Sequence, residues 1–247
     1  MPTILKMTFE EILNHRRSVR YFDPEKELDT SKVKRCIELA TLAPVSSNMQ
    51  LWEFHHITSP DIMKKMERAC IDQTTARTAK QMVVFVTRQN LHRKRSKQIL
   101  DFERQNIRNY APADKHEKYI KSQELYYNVA MPFIYTRFLG LYGLFRKLFA
   151  TTIGLFRPIV REVSESDMRV VVHKTCGLAA QTFMLAMANE GYDTCPLEGF
   201  DSRLVKKALS LPRGSEVNMI ITCGVRLPKG LRGERFRVPF EEVYKER

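Results

Sequence analysis

The 247-residue chain is 43% hydrophobic and 28% charged, the balance of a soluble globular protein long enough to bury a sizeable core. Its formal charge of +13 implies an anionic partner: a phosphorylated cofactor, an acidic membrane surface or nucleic acid. The five cysteines, Cys36, Cys70, Cys176, Cys195 and Cys223, stand singly with no CxxC pair, which argues against a disulfide framework or zinc site and for reduced thiols.

The opening "MPTILKMTFEEILNHRR" has no apolar core followed by small residues, so no secretory leader is expected and the location is read as cytoplasmic. Thr8-Phe-Glu-Glu11 has the form of a capping box that opens a helix to about Arg16. Directly behind it, "HRRSVRYF" sets three arginines around one serine, and such cations repel one another unless solvent or a bound anion intervenes. "DTSKVKRCIELATLAP" places Val33, Cys36, Ile37 and Ala40 at i, i+3, i+4 and i+7, an amphipathic helix stopped by Pro44. "WEFHHIT" reads as a strand, Ser59-Pro60 as the N-cap and first residue of a helix, and Gln81 to Thr87 as a short buried strand.

From Arg88 to about Asp167 the character changes. "RQNLHRKRSK" begins a polar, helical stretch that runs to about Tyr127. "MPFIYTRFLGLYGLFRKLFATTIGLFRPIVRE" is then dense in Phe and Leu, interrupted by Arg137, Arg146, Lys147 and Arg157. Beyond it, "GLAAQTFMLAMANEG" is apolar on nearly every face and reads as a buried central helix with Gly191 just past its end. A short "YDTCPLEGF" follows, Asp201 caps a helix over "SRLVKKALSL", and "EVNMIITCGV" is a strand. The tail "RLPKGLRGERFRVPFEEVYKER" is basic, turn-rich and extended. Helices outweigh three or four strands that do not alternate as βαβ units, so the fold class is α+β, helices around a small sheet, in one domain with an insertion at about 88–167.

No G-x-G-x-x-G, P-loop or G-x-S-x-G occurs, and His55-His56 would point to opposite faces of a strand rather than share a metal. Protein-borne acid–base or metal catalysis therefore lacks a motif. Four clusters remain: Arg16, Arg17, Ser18 and Arg20; "APVSSNMQLW", Ala43 to Trp52; "CPLEGFD", Cys195 to Asp201; and "RFRVPFEEV", where Arg235 and Arg237 lie two apart. Guanidinium groups from the first and last, with the Ser18 hydroxyl, would suit one phosphate; the middle two could supply polar contacts to a planar ring.

Together "RRSVRYFD", "LAPVSSNMQLWEF", "AAQTFMLAMANEGYDTCPLEGFD" and "RFRVPFEEV" resemble the FMN-dependent nitroreductase family, in its order, over roughly residues 8 to 87 and 170 to 245. The resemblance implies a small, mostly antiparallel sheet surrounded by helices, in a homodimer with two FMN sites at the interface, each built from both chains. Arg16, Arg17, Ser18 and Arg20, joined by Arg235 and Arg237, would hold the ribityl phosphate and polar flavin edge. Pro44, Val45, Ser46 and Asn48 would come from the other subunit. Pro196, Leu197, Glu198 and Gly199 would lie along the ring near N5; a plain turn is the simpler account of that stretch. It also implies NADPH or NADH as reductant and ping-pong reduction of a small electron-poor aromatic, such as a nitroaromatic or quinone, with no catalytic side chain. Dehalogenation and oxidation also occur on this fold. Leu51 departs from the proline usual in the family, and Asp72 or Gln73 lies where a further polar contact is often found, in a register the sequence leaves open.

The insertion matches no pattern that carries over. Phe138, Tyr142, Phe145, Phe149 and Phe156 could roof a pocket for a bulky apolar substrate, serve helix packing or a dimer interface, or form an interfacial membrane helix through about 131–160. A spanning helix is disfavoured by Arg146 and Lys147. A non-catalytic basic protein binding membrane or nucleic acid is the remaining class, and no nucleic-acid recognition motif accompanies the charge.

Overall fold

A computed structural model of the chain describes residues 7–247; the first six, on which part of the leader reading rests, lie outside the described residues. In chain order come α1 (Phe9–His15), α2 (Thr30–Ala40), β1 (Trp52–Ile57), α3 (Pro60–Ala69), α4 (Thr74–Thr78) and β2 (Gln81–Thr87). The insertion supplies α5 (His92–Tyr110), α6 (His116–Leu125), α7 (Met131–Tyr135) and α8 (Leu141–Ile153). Then follow α9 (Glu165–Asn189), β3 (Asp193–Leu197), α10 (Ser202–Ala208), β4 (Glu216–Gly224) and α11 (Phe240–Val243).

Capping chemistry sets many of these boundaries. Thr8 and Glu11 close the expected box at α1, and the Asp201 carboxylate accepts from the N–H groups of Arg203 and Leu204 to start α10. Ser59 occupies the N-cap of α3 before Pro60, but its hydroxyl makes no capping bond. Gly191, at φ +74°, closes α9 in the left-handed conformation that glycine adopts without strain. The helix after Arg88 does not run unbroken to Tyr127. It stops after Tyr110, because Pro112 forces Ala111 into extended backbone, and resumes as α6, a π-helical turn over Tyr126–Ala130, and α7.

The strands form one antiparallel sheet in the order β1-β2-β4-β3. Central β2 is buried at every position because both sheet faces are covered. Val83 and Phe85, with Trp52 and Ile221, pack against α2 and α9; Met82, Val84 and Val86, with Ile220, meet α3 and α10. This is why "QMVVFVT" is continuously apolar rather than alternating. "YDTCPLEGF" contains a strand, not only a turn: β3 lies at the sheet edge, where Pro196 is tolerated.

Helix α9 is long and apolar enough to cross a membrane, yet Cys176, Ala179, Ala180 and Phe183 are sunk in the core between sheet and α2. The insertion builds a third apolar cluster, Ile99, Leu100, Tyr127, Met131 and Tyr135, on Met168 and Val172 of α9.

Candidate functional site

The chain leaving α1 runs along the β3 edge of the sheet. Ser18 bridges Thr194, the Val19 N–H donates to the Thr194 carbonyl at 3.2 Å, and Phe22 bridges Arg226. Val19 is fully buried, and its carbonyl accepts from the Thr75 hydroxyl of α4 at 3.0 Å. The four residues of the "RRSVR" cluster are thereby fixed on a rigid edge.

The C-terminal tail folds back onto the same place. Arg235 Nη2 donates to the carbonyls of Leu13, Asn14 and Arg16 at 3.0, 3.1 and 2.8 Å, satisfying the end of α1. Arg17 Nη2 donates to the Gly233 carbonyl at 2.9 Å. Among the described residues, Arg237 bonds only the carbonyl of its neighbour Phe236, and it is exposed. Arg16 is half-buried; burial, then the adjacent charges of Arg235, Arg237 and Arg17, hold its pKa below the ordinary arginine value. Burial and the same neighbours act on Arg235. None of Arg16, Arg17, Arg20, Arg235 and Arg237 is ion-paired among the described residues, whereas nearby Arg226 is fully engaged by Asp193. Five arginines that make no ion pair among the described residues repel one another, an arrangement an anion would relieve.

The "CPLEGFD" stretch joins this cluster. Arg20 Nη1 lies 3.5 Å from Cys195 Sγ, and burial pushes the Cys195 thiol pKa up against the pull of Arg20. Pro196 and Leu197 finish β3, while Glu198 and Gly199 are exposed. Gln73 Nε2 donates to the Gly199 carbonyl at 2.6 Å, which ties Gln73 to the Pro196–Gly199 stretch, whereas Asp72 pairs with Arg68. Ile71 and Asp72 both have positive φ, a kink that no apolar period marks. Thr75 and the Asp193–Arg226 pair, which support the cluster from below, had no signal in the sequence beyond their being polar residues among apolar ones.

Pro44, Val45, Ser46 and Asn48 lie elsewhere. Their loop is held by Tyr126 and Tyr127, whose hydroxyls meet Ser47 Oγ at 2.7 Å and the Ser47 carbonyl at 3.2 Å. Ser47, Asn48 and Gln50 all sit at φ near +50°, a conformation non-glycine residues adopt at a cost of about 1–3 kcal/mol each. The loop precedes Trp52, at the opposite edge and opposite end of the sheet from Ser18. Because Ser18 lies one position outside β3, the two places differ by four strand spacings, about 19 Å, and by the length of β2, about 20 Å. Within one chain the structure brings the arginines and Pro196–Gly199 together, and keeps the Pro44–Asn48 loop apart.

An antiparallel sheet enclosed by helices, with an arginine cluster on its edge, defines an α+β protein. The nitroreductase family model matches residues 13–225, and the chain belongs to that family. Among curated proteins it is 22% identical over 236 residues to MhqN of Bacillus subtilis (strain 168), covering 95% of this chain and 96% of that one. It is 25% identical over 236 residues to YdgI of the same organism, covering 95% of each. Both are named as NAD(P)H nitroreductases. Among solved structures, a Staphylococcus epidermidis protein described as an NAD(P)H:FMN oxidoreductase superposes with TM-score 0.71 at 20% identity, covering 100% of this chain and 99% of that one. An Exiguobacterium sibiricum protein described as a nitroreductase in complex with FMN superposes with TM-score 0.68 at 19% identity, covering 98% of each. At such identity the superpositions establish the fold.

Proposed function

We propose that the protein is a homodimeric, FMN-dependent NAD(P)H oxidoreductase that reduces an electron-poor aromatic, such as a nitroaromatic or quinone, by a ping-pong cycle. The observation that carries this reading is the unpaired arginine cluster. A phosphomonoester would relieve the mutual repulsion of Arg16, Arg17 and Arg237 and accept their N–H groups and the Ser18 hydroxyl, so the donor set fits the FMN phosphate. Arg235, committed to the carbonyls that end α1, positions the tail that carries Arg237.

Bound flavin supplies two-electron hydride chemistry at N5. The chain's part is to hold and orient it. Arg20 places a cation beside the Cys195–Gly199 segment, where it would favour negative charge on a flavin bound there. Gln73 fixes the Gly199 carbonyl, setting the backbone of the strip along which the ring would lie. For the Pro44–Asn48 loop to touch the same flavin, as the family likeness implies, a second chain would have to bring it, and on this reading the site is complete only in a dimer. Its exposed Pro44, Ser46 and Asn48 are presented on a loop braced by Tyr126 and Tyr127.

The purified protein is expected to show flavin absorption bands that bleach on anaerobic addition of NADPH or NADH. Arg16→Ala with Arg237→Ala should weaken FMN binding by about 100-fold or more, since each charged hydrogen-bond donor is worth about 1.5–3 kcal/mol. Circular dichroism should stay unchanged. A folded double variant with full flavin occupancy would sink the assignment.

A further inference from the structure

Helix α8 is turned inside out. A helix on a soluble protein directs its apolar stripe inward. Here the inward positions are Gly143, Arg146 and Ala150, and the outward ones are Leu141, Leu144, Phe145, Leu148 and Phe149. The turn beyond continues the outer face with Leu155 and Phe156, the latter 85% exposed, and the turn before it with Leu139, 95% exposed.

This orientation is locked. Arg146, only 3% exposed, donates from Nε to the Val163 carbonyl at 2.7 Å and from Nη1 to the carbonyls of Phe133 and Thr136 at 2.8 and 3.0 Å. Gly143 meets the first turn of α9 so closely that an added Cβ would lie 2.7 Å from the Glu165 nitrogen. Rotating α8 to bury its leucines would strand a buried guanidinium and drive a side chain into that backbone. The arginine that breaks the apolar run in the sequence therefore points into the protein. The outer face of α8 carries a single charge, Lys147.

The exposed apolar area is on the order of 1,000 Å², well beyond the few hundred typical of the largest patch on a monomer. The segment that forms it carries charges of one sign, the next carboxylates along the chain being Glu162, Glu165 and Asp167. From Leu125 to Arg161 there is no aspartate or glutamate, while Arg137, Arg146, Lys147, Arg157 and Arg161 are present. Arg137 is paired with Glu216 and Arg146 is buried, which leaves Lys147, Arg157 and Arg161 around the patch. A two-fold contact centred on the patch would gather Lys147, Arg157 and Arg161 of both copies around it with no carboxylate from the same segment to offset them. An anionic bilayer offers both an apolar interior and negative headgroups.

We propose that α8 and its flanking turns are an interfacial docking surface for anionic lipid, with the Leu/Phe face seated at the acyl boundary and Lys147, Arg157 and Arg161 among the headgroups. The surface stands on α8 alone and does not depend on flavin binding.

The test is flotation of the full chain with vesicles of phosphatidylglycerol and phosphatidylcholine in equal parts, against vesicles of phosphatidylcholine alone. Binding should favour the anionic vesicles, weaken in high salt, and fall about tenfold or more in Leu144→Glu with Phe149→Glu. Both substituted residues are exposed, so thermal unfolding should be unchanged. A second probe is Phe149→Trp, read against the single buried Trp52: its emission should shift to the blue on anionic vesicles and be quenched by brominated acyl chains. No flotation, equal flotation of the double variant, or an unshifted tryptophan would overturn the proposal. So would a larger assembly of the wild type, without lipid, that the double variant abolishes, because the face would then be a contact between copies.

Discussion

Asp193 is a carboxylate with 3% exposure, and it remains charged because its partners outweigh its burial. Burial alone would raise its pKa; the His15 ring, with Nε2 3.3 Å away, and hydrogen bonds from the side chain and backbone N–H of Arg226 pull it below the ordinary aspartate value. Arg226 N and Nε each donate to it at 2.7 Å, and Arg226 Nη2 also donates to the His15 carbonyl at 2.7 Å. The pair thus ties the end of α1 to the junction of β3 and β4, beneath the arginine cluster. Removing one member leaves the other without its counter-charge, which for buried pairs costs about 3–5 kcal/mol. Asp193→Ala should lose about 3 kcal/mol in urea unfolding at neutral pH, the lower end because Arg226 retains some solvent contact. FMN affinity should fall with it, since the carbonyls that Arg235 grips belong to the same α1 terminus. Unchanged stability would mean that Arg226 finds other partners and the tie is dispensable. None of this was visible in "YDTC", where one acid in a short apolar run carries no sign of what it faces.

Between elements, Glu216 does the corresponding work at the other end of β4. Its carboxylate receives Arg137 of the insertion at 2.7 Å, Arg169 of α9, and His173 of α9 at 3.3 Å. The hydrogen bond from His173, then those from Arg137 and Arg169, hold its pKa far below the usual glutamate range against the opposing effect of burial. A depressed folded-state pKa stabilises the protein fully above the unfolded value of about 4.3, and that stability drains away as pH falls below it. Glu216→Gln should therefore lower the Tm at neutral pH. On acidification below about pH 4 the wild type should lose stability faster than the variant, so that the two curves converge. Parallel curves from pH 7 to pH 3 would show that the clamp adds no pH dependence. The elements this clamp joins were unequally legible. Thr8, Asp201 and Gly191 act within one turn of their own helix, and their boundaries were readable. So was the sheet, because β2 and β4 are apolar runs of strand length. The start of α9 was not: its first turns are polar, and the Ser164–Asp167 capping box uses aspartate where glutamate is the usual signal. Strand β3 was hidden by its proline, the kink before Gln73 by two residues in left-handed backbone, and the orientation of Arg146 by the fact that a charged residue in an apolar run is ordinarily assigned to solvent.

For the whole molecule, the decisive feature is the separation of the two regions that the proposed function assigns to one flavin. Arg16, Arg237 and their neighbours stand at one corner of the sheet and the Pro44–Asn48 loop at the diagonal corner, so a flavin touching both needs two chains. The sequence could suggest this only through its family likeness, because which corner a loop occupies depends on strand order. The arrangement has a consequence that no single-chain site would share. Arg16→Ala with Arg237→Ala damages one half-site; Ser46→Tyr, which places bulk on the exposed loop, damages the other. In a mixed dimer of these two variants, one site carries both lesions and the other carries neither. Refolding the two variants together at equal concentration should make half the dimers mixed and restore flavin to about one site in four, although each variant alone binds little. The recovered flavin should bleach with NADPH or NADH like that of the wild type. If the mixture binds no more flavin than the mean of the separate variants, while subunit exchange is confirmed by mass, then each site is built within one chain. The loop at Pro44–Asn48 would in that case have to be removed from the cofactor site, and its strained backbone would need a different explanation.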